Sequence, residues 1–177
     1  DRIIRGIAMF QIDDYVIYAS SGICKIVDII KQDFAGTDEK EYYVVKSMHS
    51  ENLTVYLPTA NDDYTNKLRR VLTENEISAL FRDVADDESE WIEDNRFRSQ
   101  AIKKTIVQGS PLDIFKLIKT VQKQKEKLSA IGKKINIEDE KAMNTAEQLL
   151  YDEFGFVLNL DAQQVLAFVE ESKEMYC

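Results

Sequence analysis

The chain has 177 residues and a net charge of −9, with 44% hydrophobic and 31% charged residues, which supports packed cores and excludes a largely disordered chain. Cys24 and Cys177 are its two cysteines, too few for a disulfide framework or a thiolate metal site, so a reducing cytoplasm is the expected compartment. No apolar run approaches the ~20 residues that span a bilayer, and no membrane partner is expected.

In chain order, "DRIIRGIA" stands outside the alternating pattern that begins at Phe10, which makes Met9 the expected native start. "QIDDYVIY" (11–18), "ICKIVDII" (23–30), "EYYVVKSM" (41–48) and "LTVYLP" (53–58) are short runs rich in Val, Ile and Tyr. They are separated by turn signals such as "ASSG" and "HSEN", so they read as strands. Links this short admit only antiparallel neighbours. Four short strands bury a core by curling, so residues 9–70 are expected to form a small antiparallel β-barrel, with Pro58 ending its last clear strand or marking an edge.

Residues 71–177 read as an all-α bundle, giving an α+β fold class. "TENE" offers Thr73 and Glu76 as a capping box for a helix ending near Phe81, followed by an acidic junction over 82–90. "SPLD" places Ser110 as cap, Pro111 at the first helical position and Asp113 three residues on. "NIED" repeats the arrangement with Asn136 and Asp139, and "DAQQ" with Asp161 and Gln164. The expected helices cover 88–108, 111–130, 137–158 and 162–174, with Gly109 and Gly132 as left-handed stops. Apolar residues three and four apart, as in Ile114, Leu117, Ile118 and Val121, supply each helix with a face to bury.

Catalytic chemistry finds little purchase. His49, the sole histidine, lies in a hairpin link, and Cys24 lies in a strand where cysteines pack as small hydrophobes. No glycine-rich phosphate loop exists, and the acidic clusters match no metal-ligand spacing. A binding protein that is not an enzyme, with no cofactor and no metal, is expected.

Charge is unevenly spread. Residues 96–135 hold eleven basic and two acidic side chains, whereas 71–95 hold one and nine, and 136–177 hold two and ten. Lys116, Lys119, Lys123 and Lys127 recur at helical spacing, and Arg96, Arg98, Lys103 and Lys104 precede them. Two cationic helices suit a phosphate backbone, although a solvated face accounts for the same pattern. Trp91, the only tryptophan, sits at the acidic-to-basic junction. On a continuous helix it would share a side with Arg98, while Phe97, Ala101 and Thr105 would face the core. Local pattern leaves it equally suited to wedge between base steps or to join the two domains.

The ordered series "MFQIDDYVIYASSGICKIVDI", "EYYVVKSM", "LTVYLPTAN", "LTENEISALF", "W…NRFR…QGSPLDIFKLIKTV" and "EDEKAMNTAEQLLYDEF" resembles the CarD/CdnL transcription regulators over about 165 residues from Met9. The resemblance implies a Tudor-like barrel that binds the β subunit of bacterial RNA polymerase, here through Thr54, Val55 and Tyr56. It also implies a helical domain on promoter DNA at the upstream edge of the bubble, with Trp91 as a minor-groove wedge that stabilises the open complex. Arg96, Arg98, Lys103, Lys104, Lys116, Lys119 and Lys123 are the expected DNA-backbone contacts, and a monomer is expected. The chain departs from the family where Tyr56 replaces a frequent arginine and where "YASSG" lacks the Pro and His of a "YPxHG" turn. It departs again where Glu93 and Asp94 stand in place of arginines after the tryptophan, and where about one extra helical turn separates Trp91 from Gly109.

Overall fold

The computed structural model describes residues 3–4, 7–8, 10–18, 21–34, 36, 38–50, 52–60 and 67–176, with side chains from Phe10 onward; Met9, Ala19 and Cys177 lie outside the described residues. The chain divides into two units, Asp1–Val71 and Leu72–Cys177. The first is built on β-structure and the second on five helices, an α+β arrangement.

In the first unit β1 (Ile3–Ile4) and β2 (Ile7–Ala8) form a separate antiparallel pair. β3 (Tyr15–Tyr18), β4 (Ile23–Gln32), β5 (Lys40–Ser47), β6 (Thr54–Pro58) and β7 (Leu68–Arg70) make one antiparallel sheet in the order β6-β5-β4-β3-β7. β6 and β7 are its edges, so backbone pairing leaves the sheet open, whereas four curling strands led to the expectation of a closed barrel. Its register slips between Ile26 and Asp28, where one extra residue bends and twists the long β4. Val16, Cys24, Ile26, Tyr43, Val45, Leu57 and Leu68 form the core. β7 escaped the sequence reading because a three-residue "LRR" run offers one apolar side chain. β3 recruits it by pairing Tyr18 with Leu68 and Val16 with Arg70. Residues 11–14 form a turn instead of extending β3, with Asp13 in the left-handed region at φ 74 and Asp14 accepting from the Gln11 N–H.

The second unit comprises α1 (Glu74–Ala85), α2 (Asn95–Gln108), α3 (Pro111–Ala130), α4 (Ile137–Leu158) and α5 (Ala162–Tyr176). Both capping boxes expected at Thr73/Glu76 and Ser110/Asp113 are formed, and Asp161 and Gln164 exchange the same reciprocal bonds at 2.9 Å. Phe81, Phe115 and Phe154 meet at ring separations of 5.0 to 6.3 Å in the centre of the bundle. Glu153, 1% exposed, accepts from the Leu72 N–H at 2.8 Å and so satisfies the backbone where the chain enters this unit.

Four local expectations need correction. The helix expected to end near Phe81 continues to Ala85, because Val84 is buried on the same face as Phe81, so the first four residues of the expected 82–90 junction are helical. The helix expected over 88–108 begins only at Asn95, because the Asp94 carboxylate caps it by accepting from the Arg96 and Phe97 N–H groups. Residues 86–94 are therefore irregular, and Trp91 is not on a helix. Phe97, expected toward the core, is 66% exposed. Gly109 has φ −71, so it is not a left-handed stop; a Cβ there would lie 2.4 Å from the Thr105 carbonyl oxygen, and glycine is needed for space. Gly132, at φ 72, is left-handed as expected.

Candidate functional site

The edge strand β6 is the first candidate surface. The Ser47 N–H bonds the Leu53 carbonyl and the Thr59 N–H bonds the Glu41 carbonyl, with Lys46 opposite Thr54 and Tyr42 opposite Pro58. Antiparallel bonding alternates, so residues 53, 55, 57 and 59 turn their backbone groups toward β5. Thr54 and Tyr56 turn theirs outward, and Pro58 ends the row because it has no N–H. The side chains split in the same way. Val55 packs on the core beside buried Leu57, while Tyr56 is 48% exposed. Of the three expected polymerase-facing residues, Thr54 and Tyr56 offer backbone groups on this edge, and Val55 mainly supports them.

Tyr56 is not isolated. Phe34, 56% exposed, stands edge-on to Tyr42 at 4.9 Å and to Tyr56 at 5.5 Å. Phe34 comes from the link after β4, and the sequence reading missed it because that link is otherwise polar. The Cys24 thiol lies deep in the same sheet, where it donates weakly to the Gly22 carbonyl and burial pushes its pKa up to about 11. Such a thiol stays protonated near neutral pH and is a poor nucleophile.

The second candidate surface surrounds Trp91. The indole is half-buried against the helical core, and the Arg98 guanidinium lies over it, 4.4 Å from the ring centroid. Arg98 was expected at a DNA phosphate; instead it is 6% exposed and its donors are spent inside the protein. Nε donates to both carboxylate oxygens of Asp139, and Nη2 donates to Asp139 at 2.8 Å and to Asn95. Nη1 donates to the carbonyls of Ile92 at 2.7 Å and Glu93 at 3.1 Å. Asp139 was expected to close a capping box with Asn136. Asn136 instead caps through the Glu138 N–H, which releases the Asp139 carboxylate for Arg98 at the favourable N-terminal turn of α4.

The lysine row on α3 also divides. The Lys119 ammonium donates to the carbonyls of Val84, Ala85 and Asp87 at 2.6 to 3.0 Å, capping the C-terminal end of α1. Lys116 pairs with Asp87 at 3.2 Å. Burial pushes the Asp87 carboxyl up, but hydrogen bonds from Ser89 and Lys116 outweigh it and hold the group below its usual range. Both lysines therefore clamp the end of α1. Lys123 and Lys127 are exposed and line, with Trp91, Glu88, Glu90 and Glu93, a polar cleft of about 620 Å³.

On the Arg98 side of Trp91 a second cleft of about 560 Å³ is walled by Ala101, Ile102, Leu117 and Val121, with Lys104 and Lys116 at its lining. Arg96 and Lys103 are exposed on α2 and line neither cleft. The side chains of Arg96, Lys103, Lys104, Lys123 and Lys127 make no ion pair or hydrogen bond among the described residues. Asp139 is the member of this site that the sequence placed elsewhere, as a helix cap, whereas Lys127 was already in the lysine row. Asp139 lies 41 residues from Arg98, a separation no local pattern reports. No metal-binding group of His, Cys, Asp and Glu and no helix long and apolar enough to cross a membrane occur among the described residues.

Residues 10–72 match the family model of the CarD-like/TRCF RID domain. No curated protein matches the chain.

Proposed function

We propose that this chain, whose residues 10–72 match the CarD-like/TRCF RID domain, is a CarD-like bacterial transcription regulator that engages the RNA polymerase β subunit and stabilises the promoter open complex. The single observation that carries the proposal is the matched domain presenting β6 as an edge with outward backbone groups at Thr54 and Tyr56. A polymerase strand adds to that edge, as extended segments add to other open sheets. The exposed Phe34 and Tyr56 rings supply apolar contact beside that edge. We read the bent β4 and the core around Ile26, Val45 and Leu57 as those of a Tudor-like barrel.

The helical unit then acts on promoter DNA at the upstream edge of the bubble. Trp91 is the wedge, and Arg96, Lys103, Lys104, Lys123 and Lys127 hold phosphates; Arg98, Lys116 and Lys119 serve the fold. Tethering to polymerase raises the local concentration of a DNA face that is weak in an acidic protein. The activity is non-enzymatic, cytoplasmic and monomeric. The test is open-complex lifetime with purified bacterial polymerase. The chain is expected to lengthen it, and Trp91→Ala to bind polymerase normally while shortening it about tenfold, or about 1.4 kcal/mol. An unchanged lifetime with Trp91→Ala would sink the wedge.

A second reading, a polymerase-bound adaptor that never touches DNA, draws support from the three glutamates beside Trp91. A DNA footprint identical with and without the chain selects it.

A further inference from the structure

Trp91 lies on neither helix nor strand, in a segment of mostly exposed residues, Glu88 to Asp94. An aromatic there would ordinarily sample several orientations and lose that freedom on binding. Instead, one guanidinium holds both the ring and the backbone that follows it. We propose, resting on the wedge reading, that Arg98 and Asp139 are a positioning pair which presets Trp91 as a stacking platform with one open face for an unpaired nucleobase.

The geometry assigns a part to each group. The planar Arg98 fork covers one face of the indole at 4.4 Å, a contact the rounder lysine ammonium does not reproduce. Its Nη1 holds the carbonyls of the two residues after the tryptophan, Ile92 and Glu93, which fixes the direction of the segment. Asp139 holds the fork in turn through three hydrogen bonds from two of its nitrogens. Arg98 and Asp139 are 6% and 5% exposed, so neither is available to a phosphate, and any effect they have on DNA passes through Trp91. The clefts show which face remains. Arg98 lines the cleft of about 560 Å³ and is absent from the cleft of about 620 Å³, where Trp91 stands with Lys123, Gln124 and Lys127. A base stacked on that side places its phosphates near free ammonium groups.

Because Trp91 is the only tryptophan, its fluorescence reports on this site alone. In the full-length protein, Asp139→Asn is expected to red-shift the emission and raise acrylamide quenching while the helical circular dichroism is kept. With polymerase and promoter it shortens open-complex lifetime about tenfold, to the level of Trp91→Ala, and adds nothing in the Trp91→Ala background. Unchanged quenching in folded Asp139→Asn, or lifetime effects that multiply in the double variant, overturns the proposal. Should Asp139→Asn not fold, Arg98→Met with Asp139→Leu removes both charges together, a replacement buried pairs often tolerate, and the same two readouts decide. If Trp91→Ala itself leaves lifetime unchanged, the wedge reading falls, and the quenching of Asp139→Asn still decides whether the pair positions the ring.

Discussion

The edge of β6 and the segment around Trp91 are the two candidate contact surfaces, and they are built in opposite ways. On β6 the backbone is regular and half of it is left unpaired: Thr54 and Tyr56 turn their amides away from β5. Around Trp91 the backbone is irregular and three of its carbonyls are held internally, those of Ile92 and Glu93 by Arg98 and that of Asp87 by Lys119. The first surface offers main chain and the second a side chain. A regular strand can leave its outer groups to a partner because the inner ones already hold it in place. An irregular segment has no such ladder, so buried charge must hold it before its aromatic can be presented in one orientation.

The largest effect is expected at Asp139. Asp139→Ala strands the Arg98 charge and is expected to destabilise the helical unit by about 3–5 kcal/mol in chemical denaturation, leaving the sheet unit's own transition in place. A smaller loss would mean that buried charge does not hold the segment. On the sheet side, Tyr56→Pro removes an outward amide and no bond to β5. It should weaken association with the polymerase β subunit about tenfold, or about 1.4 kcal/mol, with the sheet intact. Val55→Pro removes an inward amide and should destabilise the sheet itself; equal effects of the two in circular dichroism melts would break the alternation argument.

Smaller effects sharpen the contrast within α3. Ser110→Ala removes a hydroxyl that both caps the helix and bonds Asp113, at an expected cost of about 1 kcal/mol in thermal or urea melts. The Ser110 hydroxyl and N–H hold the Asp113 carboxyl below its ordinary value of 3.8. A depressed folded pKa stabilises fully above that value and is lost as pH falls through it toward the folded one. Acid titration of helicity should therefore weaken the helical unit below about pH 4, and less so in Asp113→Asn. Lys123→Ala is expected to lower the salt slope of DNA association by about 0.9 without affecting stability, while Lys119→Ala lowers stability and leaves the slope alone. Equal slopes for the two would remove the distinction between fold-serving and partner-facing lysines.

Much of the fold was legible because its signals are local. α3 and α4 span the residues their caps announced, and β4, β5 and β6 fall where β-branched and aromatic runs placed them. β7 was invisible, since a strand with one core residue exists only because β3 has an edge to fill. The start of α2, expected at residue 88, was misplaced for a related reason. Helical periodicity continues through Trp91, but the Asp94 carboxylate starts the helix at Asn95, seven residues later than expected.

By itself the sequence determined the two kinds of unit, the helix boundaries set by caps, and the concentration of positive charge in residues 96–135. Only the tertiary structure decided what those charges do. Arg96 and Arg98 are two residues apart and chemically identical, yet one meets solvent and the other is sealed against Asp139 and Trp91. The reason is that burial and pairing depend on partners distant in the chain, 41 residues away for Arg98 and more than 30 for Lys119, and spacing along one helix carries no record of them.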